Sequence, residues 1–294
     1  MNKLNSELIE AKKRLNEIEE LKIKLDDEYK FLQDKIHLYF DSKIHNTNEA
    51  EKFIIGDFWS KAYKLYKDGG YITNDEYISK VRFEYESKLL EKIINENIAN
   101  KNRALDIGCG EGRYTKEFAK LFSNVVGLDL SQDRVDRNNS ENKNPNIKFV
   151  NENFLTIPKE KLGKFDFVFA SDVFTYTPDD EIDGIFAKLL ELVAPNGFLI
   201  MRESTLNHGS SAWRSKGYVA YYRNSKFYEE GVFKNSFLSS YQVYGYSLYY
   251  MNKYFNVHKN MRDEIAKNPF LLDEIVPVYI DPLLKSAHYY LHKL

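Results

Sequence analysis

Five short apolar runs, separated by amphipathic stretches, dominate residues 103–201 and constrain the fold more than any other feature of the chain. The runs cover residues 104–107, 125–128, 147–150, 165–170 and 198–201. Continuous apolar runs of this length are typical of strands buried on both faces of a mainly parallel sheet. Apolar residues at helical spacing lie between them, over residues 114–122 and 182–193. The pattern predicts an α/β fold with a doubly wound, mainly parallel sheet.

The first forty residues carry a different apolar repeat, in which the spacing alternates between four and three residues. Its positions are Leu4, Leu8, Ala11, Leu15, Ile18, Lys22, Leu25, Tyr29, Leu32, Ile36 and Tyr39. A repeat sustained in this way predicts a coiled-coil helix over residues 1–40. We expect it to pair in a homodimer; the alternative is that it folds back on its own domain as an antiparallel hairpin.

The remaining chain divides into two parts. Residues 41–100 are helical in pattern but irregular, and we interpret them as a helical cap or linker region. Within them Asn74 is a candidate N-cap for a helix that continues to Ile94. Residues 101–294 form the main domain, with an insertion at about residues 205–237.

Composition excludes several classes of protein. The formal net charge of −2 argues against a nucleic-acid-binding protein, which needs a strong basic field. A single cysteine, Cys109, excludes an intramolecular disulfide and fits a reducing cytosol. The N-terminus lacks the apolar core of a secretory signal, and no window approaches the ~20 apolar residues of a membrane helix. We therefore expect a cytoplasmic protein without a membrane span. No cluster of His, Cys and Asp has metal-ligand spacing, so no metal is predicted.

A glycine-rich segment, LDIGCGEG at residues 105–112, follows the first apolar run and precedes a helical stretch. Glycines at alternate positions let the backbone pass close to a ligand, and the amides at the start of the helix face that ligand. Dinucleotide-binding loops place their third glycine one residue later, where this chain has Arg113. The segment therefore predicts a nucleotide-type site of another kind.

These residues resemble the first motif of the class I S-adenosylmethionine (SAM)-dependent methyltransferases, E/D-x-G-x-G-x-G. The resemblance covers about a third of the chain and ends near residue 204. It implies that the loop holds the amino-acid part of SAM, with Asp106 close to that end. The loop residues concerned are Gly108, Cys109, Gly110 and Gly112.

Further motifs of the same family follow at the ends of the next strands. The resemblance implies that Asp129 accepts both ribose hydroxyls, with Leu130 beside it. After the third strand the family often has an aspartate that receives the adenine amino group; here Asn153 could accept that bond through its carbonyl oxygen, with Phe154 beside the ring. Ser171, at the end of the fourth strand, is also placed at the cofactor.

The acceptor is expected at the end of the fourth strand and in the insertion. Residues 171–176 lack the Asn/Asp-Pro-Pro-Tyr signature of enzymes that methylate base amino groups, which argues further against a nucleic-acid substrate. Arginines beside aromatic residues suit a phosphate-bearing acceptor, because a guanidinium binds phosphate oxygens bidentately. The candidate acceptor-binding residues are Tyr176, Arg202, Arg214, Tyr221, Tyr222 and Arg223.

The predicted reaction is methyl transfer from SAM, leaving S-adenosyl-L-homocysteine. The enzyme has to hold the acceptor in line with the methyl group, and a base is needed only if the attacking atom must lose a proton. His208 is the first candidate base for a hydroxyl, followed by Glu203 and Asp172. We predict an O-methyltransferase that acts in surface polysaccharide biosynthesis. Its acceptor would be a sugar, either free or linked to a nucleotide, or another phosphorylated small molecule. The alternatives are an amine or protein side chain as acceptor, or a non-catalytic SAM-binding coiled-coil scaffold.

Overall fold

The computed structural model describes residues 76–206, 210–215, 218–234, 237–243 and 285–294, together with seven isolated positions between residues 10 and 28. The seam positions of the predicted coiled coil, the candidate cap Asn74 and the candidate base His208 lie outside the described residues. The coiled coil and its homodimer therefore remain predictions. No helix among the described residues is long and apolar enough to cross a membrane.

The described strands form one sheet. They are β1 (Arg103–Ile107), β2 (Asn124–Asp129), β3 (Ile147–Asn151), β4 (Phe165–Ser171), β5 (Val193–Leu206), β6 (Ser210–Ser215), β7 (Tyr218–Asn224), β8 (Phe237–Val243) and β9 (Lys285–Lys293). Strands β3, β2, β1, β4 and β5 lie side by side in that order, and all four pairings are parallel. Strand β9 runs antiparallel along the other edge of β5, and β8 pairs with β9. The five predicted strands and the doubly wound α/β fold are confirmed.

The helices cover both faces of this sheet. They are α1 (Glu76–Asn97), α2 (Arg113–Phe118), α3 (Gln132–Glu141), α4 (Lys159–Leu162) and α5 (Ile182–Glu191), with a 3-10 turn over Phe174–Tyr176 and a π-helix over Phe227–Val232. A hydrophobic core lies on each face of the sheet, and alternate residues of β4 contribute to each core. Phe167 and Phe169 pack with α1 and α2, whereas Val168 packs with α5 and the π-helix. This alternation is the one a strand buried on both faces requires.

Strand β5 is longer than the apolar run that predicted it. The run covers residues 198–201, but the strand extends from Val193 to Leu206, because β9 pairs with it from Phe198 to Leu206. Arg202 and Glu203 therefore lie inside a central strand and are buried.

The insertion lies beyond the end of β4. Strand β7 pairs in parallel with Thr205 and Leu206 of β5. Because β9 occupies the opposite edge of β5 at these residues, β7 must lie on the edge that β4 occupies as far as Arg202. The hairpin of β6 and β7 therefore sits at the carboxyl end of the parallel strands, next to the expected acceptor site.

Candidate cofactor and acceptor site

The carboxyl ends of β1 to β4 meet at one edge of the sheet, and the strand order reverses between β1 and β4. In open parallel sheets the crevice at such a reversal is where ligands bind. The glycine-rich loop directly follows β1, and the turn after β4 begins at Asp172. Both predicted halves of the site therefore face the same crevice.

Gly108 and Gly112 of the loop are required for two different physical reasons. Gly108 has a φ of +68° and a Cβ built on it would meet nothing within 4 Å, so its backbone borders open space. Gly112 has a φ of +66°, and its Cβ would lie 2.7 Å from ring atoms of Phe149. The first glycine leaves room for a ligand, whereas the second allows the loop to pack against β3.

Asp129 ties the loop to the end of β2. Its Oδ2 accepts a hydrogen bond from the Gly110 amide and its Oδ1 accepts one from the Ser131 amide, both at 2.8 Å. Each carboxylate oxygen retains a second lone pair, so both can still accept a ribose hydroxyl. Leu130 follows and is 43% exposed, which offers an apolar surface beside that carboxylate. The geometry supports the predicted ribose-binding role, which remains a prediction.

Helix α3 holds the loop from the other side, which sequence reasoning missed. Asn138 is buried and its Nδ2 donates to the Gly110 carbonyl at 2.7 Å. The Gly110 residue is thus bound at its amide by Asp129 and at its carbonyl by Asn138. No sequence signal pointed to Asn138, because an asparagine within a polar helix has no distinctive spacing.

Asp106 and Cys109 lie beneath the loop. Asp106 is buried and accepts a 2.5 Å hydrogen bond from Thr115 Oγ1. Burial raises the pKa of Asp106 to about 7, while the bond from Thr115 lowers it and the charge of Asp129 adds to the increase. The Cys109 side chain is buried with Val135 and Phe149, so only its backbone is placed to contact a cofactor.

The two residues predicted to bind adenine, Asn153 and Phe154, already contact other residues of the protein. Asn153 Oδ1 already accepts a hydrogen bond from the Leu155 amide at 2.9 Å, so the oxygen assigned to the adenine amino group has one lone pair left for it. Phe154 is partly buried and packs against the core beside β4. Both assignments remain predictions.

The turn after β4 is tightly bound to β5. Asp172 has a left-handed φ of +54°, a region that aspartate and asparagine adopt more often than other residues with a side chain. Its amide donates to the Arg202 carbonyl at 2.7 Å, and its Oδ1 accepts from the Ser204 amide at 2.8 Å. Its side chain is 26% exposed, so Asp172 reaches the crevice.

Arg202 is not placed as predicted. Its guanidinium is buried and donates to Asp172 Oδ2 at 2.5 Å, to Glu86 Oε1 at 3.1 Å and to Ser204 Oγ at 3.0 Å. The second oxygen of Glu86 accepts from the Tyr114 hydroxyl. Because these internal partners hold its guanidinium, the geometry argues against Arg202 as a phosphate ligand of the acceptor.

Glu203 caps the 3-10 turn. It is fully buried, and its two oxygens accept from the Phe174 and Thr175 amides, both at 3.1 Å. Burial, followed by the charge of Asp172, raises the pKa of Glu203 to about 8. Because Glu203 is fully buried and both of its oxygens accept bonds from backbone amides of the turn, its position does not fit the predicted base.

Arg223 also has an internal role. It donates to the Phe174 carbonyl at 2.8 Å, to the Thr177 carbonyl at 2.7 Å and to Asp179 Oδ1 at 2.5 and 2.8 Å. It is buried, and its guanidinium lies 5.3 Å from the Tyr221 ring centroid. Arg223 therefore clamps the segment after β4 to the insertion, which argues against a direct contact with the acceptor.

The other predicted acceptor residues divide by exposure. Tyr222 is buried with Leu206 and Ala220, whereas Tyr176 and Tyr221 are partly exposed at the same end of the sheet. The backbone of Arg214 lies in β6, and its side chain is outside the described part of the structure. Ser171 ends β4 and is partly exposed beside the loop. Within the described residues no group of three or more His, Cys, Asp and Glu could hold a metal ion.

Sequence reasoning also missed Glu86, although a signal was present. Phe83, Glu86 and Leu90 recur at spacings of three and four on α1. Leu90 is 1% exposed and Glu86 is 2% exposed. A charged residue on the apolar stripe of an amphipathic helix indicates a buried partner.

Comparison with known proteins agrees with this geometry. Residues 104–197 match the model of a methyltransferase domain. Over 134 residues the chain is 31% identical to phosphoethanolamine N-methyltransferase 1 of Triticum aestivum, which covers 44% of this chain and 26% of that protein. Over 168 residues it is 28% identical to the malonyl-[acyl-carrier protein] O-methyltransferase of Legionella pneumophila, covering 55% of this chain and 56% of that protein. The chain thus spans about a quarter of the plant relative's length and about half of the bacterial one's.

Solved structures share the fold at low sequence identity. A SAM-dependent methyltransferase of Leishmania major superposes with a TM-score of 0.51 and 15% identity, covering 74% of this chain and 73% of that one. The 1,6-didemethyltoxoflavin-N1-methyltransferase of Burkholderia thailandensis, solved with S-adenosylhomocysteine, gives a TM-score of 0.52 and 13% identity, covering 80% and 86%. Residues 104–197 therefore match a methyltransferase domain, and the strand order around the loop and Asp129 is the fold that these class I, SAM-dependent methyltransferases share.

Proposed function

We propose that this chain transfers the methyl group of SAM to a small-molecule acceptor. The observation that carries the proposal is the loop after β1, which leaves open space at Gly108 while Asp129 is held beside it by the Gly110 and Ser131 amides. A bound SAM would supply a methyl group on a positively charged sulfur. The protein's part is to bind, orient and exclude water.

The cofactor is assigned to residues along the carboxyl edge. Asp129 would hold the ribose hydroxyls, Leu130 would cover one face of the adenine, and the loop backbone would bind the amino-acid end. These residues fit a nucleoside carrying an amino acid, because they combine an acceptor pair, an apolar surface and a backbone free of side chains.

For the acceptor, the described residues favour an amine. The carboxylate of Asp172 is paired with Arg202 but partly exposed at the crevice, whereas the guanidinium groups of Arg202 and Arg223 are buried in internal bonds. A carboxylate at this position would attract an ammonium and accept a hydrogen bond from the neutral amine. The ammonium would lose its proton to solvent, and the neutral amine would then attack the methyl carbon as the carbon–sulfur bond breaks and S-adenosylhomocysteine leaves, so no protein base is required. The similarity to phosphoethanolamine N-methyltransferases supports the same acceptor class.

A hydroxyl acceptor is the second candidate, and relatives that methylate oxygen support it. It would need a base, for which His208 remains the proposal, and the tyrosines of the insertion would line its pocket. Neither the named relatives nor the described arginines add support for a sugar phosphate or for polysaccharide biosynthesis.

Methyl transfer from isotopically labelled SAM to a panel of acceptors tests the proposal. The panel contains phosphoethanolamine and other small amines, phosphorylated sugars, nucleotide sugars and a peptide mixture, with Asp129→Ala as the blank. Label on an amine supports the amine proposal, and label on a sugar supports the hydroxyl alternative. If SAM binds but no acceptor is labelled, the result counts against transfer to the small molecules of the panel and favours a polymeric or protein substrate, or the scaffold hypothesis.

A further inference from the structure

Glu86 is an unusual residue for its position on α1. It is 2% exposed and lies on the helix face that packs against the sheet, close to Tyr85, Leu89 and Leu90. Burying a carboxylate is costly even when it is paired, and an apolar residue of similar size often stabilises a fold as well or better. Stability alone therefore gives a poor account of a carboxylate at this position.

The bonds of Glu86 lead directly to the acceptor side of the site. Glu86 Oε1 accepts from Arg202 at 3.1 Å, and the same guanidinium donates to Asp172 at 2.5 Å. The other Glu86 oxygen accepts from Tyr114, whose ring packs against Phe83 of α1 at a centroid distance of 5.3 Å. The buried Arg202 guanidinium is thus bound by two carboxylates, that of Glu86 on α1 and that of Asp172 at the crevice.

Asp172 lies at the end of this network that borders the crevice, and several contacts fix its conformation. Asp172 has a φ of +54°, a left-handed conformation that aspartate adopts more readily than most residues and that surrounding contacts hold here. Arg202 supplies two of those contacts, through its carbonyl to the Asp172 amide and through its guanidinium to Asp172 Oδ2. The guanidinium is therefore the group that fixes Oδ2 of the Asp172 carboxylate, while the Ser204 amide and the Thr175 hydroxyl bind Oδ1.

We infer that Glu86 is a positioning residue for methyl transfer: through Arg202 it holds the Asp172 turn that borders the acceptor. The inference rests on the proposed function, and it extends the site beyond the domain match at residues 104–197 to the preceding helix. Glu86 does not touch the acceptor; it fixes the group that does.

Hydrogen exchange of the full chain tests the positioning without any acceptor. In Glu86→Gln we expect amides in residues 171–177 to exchange roughly tenfold faster, because a buried charged partner is lost. Affinity for S-adenosylhomocysteine and exchange in β1 and β2 should stay unchanged. The matched control is Glu91→Gln, the same chemical change at an exposed site of α1. Faster exchange confined to α1, or no change in residues 171–177, would overturn the inference.

Kinetics supply a second test, using the acceptor that the panel labels. Glu86→Gln should lower kcat by ten- to a hundredfold, because small displacements of a positioning group are that costly, while the KM for SAM is unchanged. If Glu86 acts through Asp172, adding Glu86→Gln to Asp172→Asn should cost little more than Asp172→Asn alone. Additive losses would contradict that coupling. Should wild-type protein transfer no methyl group, the proposed function fails, and the exchange experiment still decides the positioning role.

Discussion

Replacing Gly112 by alanine should destabilise the fold far more than the same change at Gly108. The two glycines have nearly equal φ values, +66° and +68°, but a Cβ at Gly112 would lie 2.7 Å from the Phe149 ring whereas one at Gly108 meets nothing within 4 Å. Both variants incur the left-handed strain of alanine, about 1–2 kcal/mol. Gly112→Ala adds the overpacking of a filled site, about 1–3 kcal/mol. The difference between the two free energies of unfolding should therefore be about 2 kcal/mol.

Thermal unfolding measures this difference. The experiment is done without cofactor, so that changes in ligand binding do not contribute to the midpoints. At about 2–4 °C per kcal/mol, the midpoint of Gly112→Ala should lie roughly 4–8 °C below that of Gly108→Ala. In a Phe149→Leu background the gap should narrow, because the ring atoms that meet the new Cβ are removed. Equal midpoints for the two variants, or a gap that persists with leucine at 149, would refute the steric reasoning.

Four further predictions concern the cofactor, two buried polar side chains and the N-terminal helix. Asp129→Ala should weaken binding of S-adenosylhomocysteine by about 1.5–3 kcal/mol, the value of hydrogen bonds to a charged group; calorimetry that shows unaltered affinity would remove Asp129 from the site. Because burial raises the pKa of Glu203 to about 8 from 4.5, the wild-type fold should lose stability as pH rises through that window. Glu203→Gln lacks this ionisation, so its stability relative to wild type should improve between pH 5 and pH 9 in urea titrations, and a constant difference would contradict the shifted pKa. Arg223→Lys should lower the free energy of unfolding by about 2 kcal/mol through the lost carbonyl bonds; a raised acceptor KM at unchanged stability would instead restore the phosphate-binding hypothesis. Deleting residues 1–40 should halve the mass found by light scattering if the coiled coil forms the dimer, and an unchanged mass would exclude that interface.

The cofactor half of the site could be read from local sequence because its parts are contiguous. A strand, a glycine loop and a helix start follow one another along the chain, and an acidic residue ends the next strand. Parallel strands bring these ends to one edge whatever the side-chain details. The loop and Asp129 therefore lie together in the structure as the motif implied.

The acceptor half could not be read in the same way. Arg202 and Arg223 look like free cations in a linear sequence, and only their distant carboxylate and carbonyl partners show that they are internal clamps. Glu203 is a candidate base in the sequence, where the apolar run of β5 ends at residue 201 and nothing local indicates that the next residues are buried. Pairing with β9, more than eighty residues later in the chain, extends the strand and buries that carboxyl.

What the sequence determined by itself is the doubly wound sheet and the cofactor loop, because hydrophobic periodicity and glycine spacing act over a few neighbouring residues. What only the tertiary structure decided is the surroundings of each charged group: whether Arg202 faces a ligand or Glu86, whether Glu203 is buried, and where Asp172 lies. Those properties depend on burial and on partners 28 to 116 positions away in the chain. Solvation and long-range pairing, which set the behaviour of a charge, are not encoded in local spacing.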